Sequence, residues 1–501
     1  MRKQPAYLYA SFSTFCFNMN PDFVRHLALT LLGASAARAI SFAMLPLAAR
    51  IYGKDDFGGL ALALGFIGIV QPLLTLRYEL AVVLARSSEA ARAILWGLSC
   101  IAFTGYLAVA LLVIAAPDLF GAVVDAQLVS TLRAPVLLHL AAVTSSVILS
   151  AWLQRRRAFR VIVTAQLVGA LMTAASVLGV PALVEPNLNV LVWSHAAGVS
   201  LSTAVLVIGN TQLGLFSSRP PGSAIRIVRV LKKYRVYPTY SLPLSLSSLL
   251  SDRAVLLYLS AAFSLSTLGA YFAVRQLMFG LVHLLTSSIS QVVFSYGSRI
   301  PNGIASAKTP LLAMARGIAV TAGFALGWIC VYANELTLVL FGDQWVEVAA
   351  MMPWVAGHAA AVSVIGWQGR LLDIDRRQRL DATLQIAGDV ALIGAICLLW
   401  LLRVSPVTAV AGVSMVGAAN AFVWIAIAYR ATKLGFKQAL VCEGALLASG
   451  VGGAALALLS KATFGVLSGL IISLAITAFG MLAAILITVR IIGWKTPRMT
   501  L

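Results

Sequence analysis

From residue 27 to residue 489 the chain is a succession of apolar runs of about 20 residues, separated by short polar turns. A helix rising 1.5 Å per residue needs about that many residues to cross a hydrocarbon core about 30 Å thick. Fourteen such runs are present, near 27–49, 57–76, 93–116, 134–153, 161–184, 188–209, 239–262, 269–295, 311–333, 349–369, 380–402, 406–429, 439–460 and 464–489. They are continuous and lack the two-residue alternation of barrel strands, and only helices satisfy their own backbone groups inside lipid. The expected fold is therefore an all-α membrane protein with about 14 transmembrane helices. A large soluble core is no alternative, because 60% of the residues are hydrophobic and only 11% charged.

The positive charges test this division, because Lys and Arg collect in cytoplasmic loops. With a cytoplasmic N-terminus, 29 of the 37 basic residues fall on the inner side and five (Arg50, Lys54, Arg133, Arg403 and Lys461) on the outer. The remaining three, Arg38, Arg253 and Arg275, lie within spans. A miscounted helix would scramble the asymmetry, so a multi-pass protein with both termini cytoplasmic is expected. The net charge of +20 needs no nucleic acid, since the basic residues sit in short loops without interleaved aromatics, where topology and anionic lipid head groups account for them. The largest cluster runs from Arg219 to Arg235, and the spacing of Arg226, Arg229, Lys232 and Lys233 predicts a surface helix joining two halves.

An internal repeat defines those halves. Thr164-Ala-Gln-Leu-Val-Gly169 matches Thr383-Leu-Gln-Ile-Ala-Gly388, and His139 and His358 each precede their Gln by 27 residues. Leu119-Phe120-Gly121 recurs at Leu340-Phe341-Gly342, and the stretch around Gly58 recurs around Gly269. An even number of helices returns the chain to its starting side, so the repeat predicts two parallel six-helix bundles related by an axis along the membrane normal. The expected organisation is an N-terminal segment (1–26), a first bundle (27–209), a basic linker (210–238), a second bundle (239–429), two extra helices (439–489) and a tail (490–501). Met19 looks like a natural start, and residues 1–18 show no cleavage site.

Most chemical motifs are missing or ordinary. No G-x-x-x-x-G-K-[ST] is present, so no nucleotide hydrolysis is read into the chain, and the five cysteines show no paired spacing for disulfide or zinc. No cofactor or metal is expected. Asp373-Ile-Asp375 reads as a solvated loop, Asp55-Asp56 as the cap of the second span, and His139 and His358 as packing positions.

Arg50-Ile-Tyr-Gly-Lys-Asp-Asp-Phe-Gly58, an apolar helix, and then Arg77-Tyr-Glu79-Leu-Ala-Val-Val-Leu resemble the opening of Wzx-type lipopolysaccharide and exopolysaccharide flippases. These belong to the multidrug/oligosaccharidyl-lipid/polysaccharide exporter superfamily. The resemblance implies a transporter that carries an undecaprenyl-diphosphate-linked oligosaccharide across the bacterial inner membrane by alternating access of its bundles. It implies a cationic central cavity and a proton or sodium gradient as the energy source. It admits polysaccharide polymerase and chain-length proteins as further partners, beside membrane lipids.

The intramembrane charges suit such a substrate. An arginine at midbilayer costs about 2.5–3.5 kcal/mol on insertion scales, so Arg38, Arg253 and Arg275 should face protein or water. Arg38 and Arg253 are 215 residues apart, near the repeat offset, and facing each other they could clamp a diphosphate. Adjacent helical residues point about 100° apart, so Asp252 and Arg253 are not expected to pair with each other. Arg253 is assigned to the cavity with Arg38 and Arg275, and Asp252 to a supporting contact with Arg275. Asp252 and Asp389 are the acids available for support or ion coupling. Two rivals stand beside this reading: a multidrug exporter of the same superfamily, and a polysaccharide polymerase or ligase. The first would favour twelve helices and an acid-rich cavity, and the second a long outer loop with catalytic residues.

Overall fold

The computed structural model describes residues 21–115, 126–212, 223–297, 308–368, 371–372, 375, 377–465 and 468. These form fifteen α-helices and short 3₁₀ and π turns, with no strand among the described residues. The N-terminal half holds α1 (Pro21–Ile51), α2 (Lys54–Thr75), the short α3 (Tyr78–Leu84), α4 (Ser88–Ala115), α5 (Ala126–Arg155), α6 (Phe159–Gly179) and α7 (Leu188–Gln212). A short helix α8 (Ala224–Lys233) leads to the C-terminal half: α9 (Leu242–Ala262), α10 (Leu265–Gly297), α11 (Lys308–Leu340), α12 (Val346–Ile365), α13 (Gln378–Leu401), α14 (Pro406–Ala431) and α15 (Phe436–Phe464).

Eleven segments among the described residues are long and apolar enough to cross a membrane. Helices α1 and α10, of 31 and 33 residues, are longer than any of these. Each of the first thirteen expected spans thus coincides with one helix. The fourteenth, at 464–489, falls almost wholly outside the described residues, as do residues 1–18, most of the expected segment 1–26 and all of 490–501.

Helix pairing follows the repeat. In the first half α1 packs on α6, α4 on α5, α5 on α7 and α6 on α7. In the second α9 packs on α13, α11 on α12, α12 on α14 and α13 on α14. The halves meet where α2 crosses α10, at two glycines 211 residues apart. A Cβ on Gly58 would fall 2.1 Å from the Leu265 carbonyl oxygen, and one on Gly269 would fall 1.8 Å from that of Lys54. Only hydrogen fits at either position. Lys54 and Leu265 are themselves 211 apart, so each half presents the same carbonyl to the same glycine of the other.

Further ties surround this crossing. The Trp345 indole N–H donates to Ala49 O at 2.7 Å, and the Gln344 amide donates to the same oxygen at 2.9 Å. Phe57 meets the Trp345 ring edge-on at 5.3 Å, and Lys54 pairs with Glu347 at 3.3 Å. Gly53 N–H donates to Asp56 at 2.9 Å, so Asp56 caps the start of α2, with Asp55 in the same first turn. Tyr52 beside it is buried and donates to Val177 O at 3.1 Å; burial, with Asp56 nearby, pushes its phenol up to about 12.

At the far end of α2 the chain breaks. Leu76 and Arg77 both adopt left-handed conformations, with φ of 49° and 61°. This turns the Arg77 guanidinium to donate from Nε and Nη2 to Ser245 Oγ of α9, at 2.9 and 2.7 Å, with Glu79 at 3.4 Å. Arg155 closes the following short helix by donating to the carbonyls of Val82, Val83 and Ala85. Helix α2 is therefore fastened to the second half at both ends.

Candidate functional site: the cavity between the halves

A cavity of about 460 Å³ lies between α1, α2, α6 and α7 of the first half and α10 of the second. This is within the range of about 300–1,000 Å³ usual for small-molecule sites. Its wall is mostly apolar, with Phe42, Leu45, Leu60 and Phe272. Its polar atoms come from Arg38 and Ser41 on α1, Thr173 on α6, His195 on α7 and Gln276 on α10. Arg38 and Ser41 are three residues apart and so share one helix face. No carboxylate lines it among the described residues.

The five residues singled out from the sequence fall into three places. Arg38 stands exposed on the cavity wall. Arg253, Arg275 and Asp252 form a partly buried cluster on α9 and α10, and neither arginine is among the lining residues. Asp252 pairs with Arg275 through one carboxylate oxygen, and its other oxygen lies 3.5 Å from Arg253 Nη1. The expectation that adjacent Asp252 and Arg253 would not pair is corrected here. A long guanidinium arm can fold back along its own helix, and a carboxylate with two oxygens serves two cations at once.

Both arginines also reach other neighbours. Arg253 reaches across to α2, where its Nη2 would be 3.2 Å from a Cβ on Gly68 and its Cδ 3.5 Å from one on Gly65. Its Nε is buried without a hydrogen-bond partner. Arg275 sits over the Phe279 ring at 5.4 Å, and His358 meets that ring edge-on at 5.1 Å.

Asp389, on α13, is 6% exposed and stands apart from the arginines. It accepts from Ser247 Oγ at 2.8 Å, Ser251 Oγ at 2.7 Å and Gln385 Nε2 at 3.1 Å. The serines come from α9, one helical turn apart, and Ser251 is the residue just before Asp252. Among the described residues no cation pairs with it.

His139 is buried as expected for a packing position, but its Nδ1 has no partner. Asp375 is tied to Arg377 at 2.8 Å, whereas Asp373 lies outside the described residues. Among the described residues no cluster of acids, His and Cys could hold a metal. The sequence reading passed over His195, Thr173, Ser41 and Gln276. Each is a single polar residue in an apolar run, with no spacing to set it apart. The pair Arg275-Gln276 was the available signal, since a second polar residue beside an intramembrane arginine needs a polar neighbour of its own.

Residues 47–350 match the family model described as polysaccharide biosynthesis protein, which covers more than half of the chain. The chain belongs to this family. A search of curated protein sequences finds no match to it. Among solved structures it is similar to the lipid II flippase MurJ in an inward closed conformation, with a TM-score of 0.71 at 11% identity, over 92% of this chain and 99% of that one. It is also similar to an inward-facing multidrug resistance MATE family transporter, with a TM-score of 0.51 at 13% identity, over 83% of this chain and 94% of the other. Both neighbours are members of the multidrug/oligosaccharidyl-lipid/polysaccharide exporter superfamily, and at these identities they show the fold. Family and helices together make it a multi-pass membrane protein of polysaccharide biosynthesis.

Proposed function

We propose that this polysaccharide biosynthesis protein is a flippase for an undecaprenyl-diphosphate-linked oligosaccharide in the bacterial inner membrane, with both termini cytoplasmic. It serves surface polysaccharide assembly and works by alternating access of its two halves. The observation that carries this is the cavity between the halves, whose one charged lining residue among those described is Arg38. A diphosphate held in low dielectric needs a cation and several hydrogen-bond donors, which Arg38, Ser41, His195 and Gln276 supply. Arg253 lies outside the lining, on α9, and is assigned as a second cation that a diphosphate reaches when the halves rearrange, displacing its 3.5 Å contact with Asp252. Arg275, committed to Asp252 and Phe279, positions the pair.

A multidrug exporter for cations fits less well, because the described lining residues include a guanidinium and no carboxylate. Ion coupling is assigned to Asp389, a membrane-interior carboxylate held by three neutral donors and able to take a proton or sodium. The test is reconstitution of the whole protein in vesicles with an undecaprenyl-diphosphate sugar on one leaflet, and enzymatic capture of the sugar on the other. Wild type should translocate it under an imposed proton or sodium gradient, and Arg38→Ala should lose at least about 90% of the rate, since a charged contact contributes about 1.5–3 kcal/mol. Equal rates in protein-free vesicles, or in Arg38→Ala, would sink the assignment.

A further inference from the structure

Helix α8 carries two apolar seams. At 100° per residue, Ile227, Val230, Leu231 and Tyr234 share one side, and Ile225, Val228, Arg229 and Lys232 share the other. The first seam is packed. A Cβ on Gly97 of α4 would lie 2.7 Å from Leu231 Cδ1 and 2.9 Å from Ile227 Cγ2. Val230, Leu231 and Tyr234 also rest on the cluster around Tyr78, Ile94 and Trp152. The Tyr78 hydroxyl donates to Leu231 O at 3.2 Å, and Arg226 pairs with Glu89 at 2.6 Å. The helix is thus clamped along the flank of α4.

The second seam is open: Ile225 is 71% exposed and Val228 50%. Arg229, Lys232, Lys233 and Arg235 flank it, all exposed, with no acid paired to any of them among the described residues. Beside Gly97, Trp96 is 41% exposed on the outside of α4. An exposed Trp on a spanning helix marks the membrane–water boundary, so α8 lies at that depth. Apolar side chains set between four cations at a membrane boundary complement one surface, a leaflet rich in anionic phospholipid.

We infer that α8 is a binding site for anionic phospholipid head groups of the cytoplasmic leaflet: Arg229, Lys232, Lys233 and Arg235 hold the phosphates, and Ile225 and Val228 enter the acyl boundary. Because α8 continues through the π turn Tyr237–Ser241 into α9, bound lipid fixes the start of the helix that carries Ser245, Ser247, Ser251 and Asp252. The inference concerns bulk phospholipid, so it stands or falls separately from the transport reading.

The test is hydrogen exchange of the intact protein in nanodiscs of pure phosphatidylcholine, and of phosphatidylcholine with one-third phosphatidylglycerol. Wild type should show residues 224–236 exchanging at least about tenfold more slowly in the anionic discs, since each basic residue near such a surface adds a several-fold preference. The variant R229Q/K232Q/K233Q should exchange alike in both, with α12 peptides unchanged as proof of folding. Equal exchange of wild type in the two discs, or protection retained by the folded variant, would overturn the site. So would Val228→Asp keeping full protection, because the apolar seam would then have no part in it.

Discussion

Replacing Gly269 by alanine probes the joint between the halves. The new Cβ would fall 1.8 Å from Lys54 O, 2.8 Å from Lys54 C and 2.9 Å from Gly58 N, all backbone atoms that no rotamer change can move. Carbon and carbonyl oxygen come no nearer than about 3.3 Å, so α2 and α10 must part by about 1.5 Å at this crossing. Overpacking of this kind costs about 1–3 kcal/mol. If transport separates the two helices here, the cost falls on the state in which they touch, shifting the balance toward the open state by about 5- to 150-fold. The assay is the rate at which a single cysteine at Ser41, in an otherwise cysteine-free chain, reacts with an impermeant thiol reagent from the side bearing Lys54 and Glu347. Gly269→Ala should react faster by a factor in that range. Gly280→Ala, whose Cβ would meet only Phe42 at 3.4 Å, serves as the control and should not. An unchanged rate and an unchanged melting temperature in Gly269→Ala would refute the contact.

Four further substitutions test the polar groups held between helices. Asp252→Asn removes the counter-charge of two arginines, and breaking such a pair costs about 3–5 kcal/mol when fully buried; here partial exposure puts the loss at about 2–3 kcal/mol, read as a fall in melting temperature. Asp252→Asn with Arg275→Met should recover part of that loss, and strict additivity would show that the pair is not coupled. Asp389→Asn should leave melting within about 1 kcal/mol of wild type, since its serine partners can rotate to donate or accept; it should abolish the dependence of vesicle transport on the ion gradient, and retained dependence would remove Asp389 as the coupling site. Tyr52→Phe loses one buried hydrogen bond, to Val177 O, and should lower stability by about 1 kcal/mol in thermal unfolding.

The helices were legible because each apolar run is long enough to identify itself, so thirteen expected spans meet thirteen helices. Turn chemistry was less visible. The break at Leu76-Arg77 uses two left-handed non-glycine residues, which no propensity rule anticipates, and it makes α3 a separate helix. Arg38 and the contact between Asp252 and Arg275 were readable from the cost of charge in lipid. The cavity's neutral polar residues were not, because a lone Thr173 or Gln276 costs little to insert and carries no period. The repeat revealed Gly58 and Gly269 as equivalent positions but not as neighbours. Two equivalent residues touch only if they lie on the axis relating the halves, and that follows from packing alone.

The most direct test of the account is leaflet-resolved labelling of the undecaprenyl-diphosphate-linked sugar in cells lacking this protein. The account predicts that the lipid-linked sugar accumulates on the cytoplasmic leaflet, that wild-type protein restores it to the outer leaflet, and that Arg38→Ala at equal membrane abundance does not. Labelling on the outer leaflet at the normal level in the absence of the protein would contradict it.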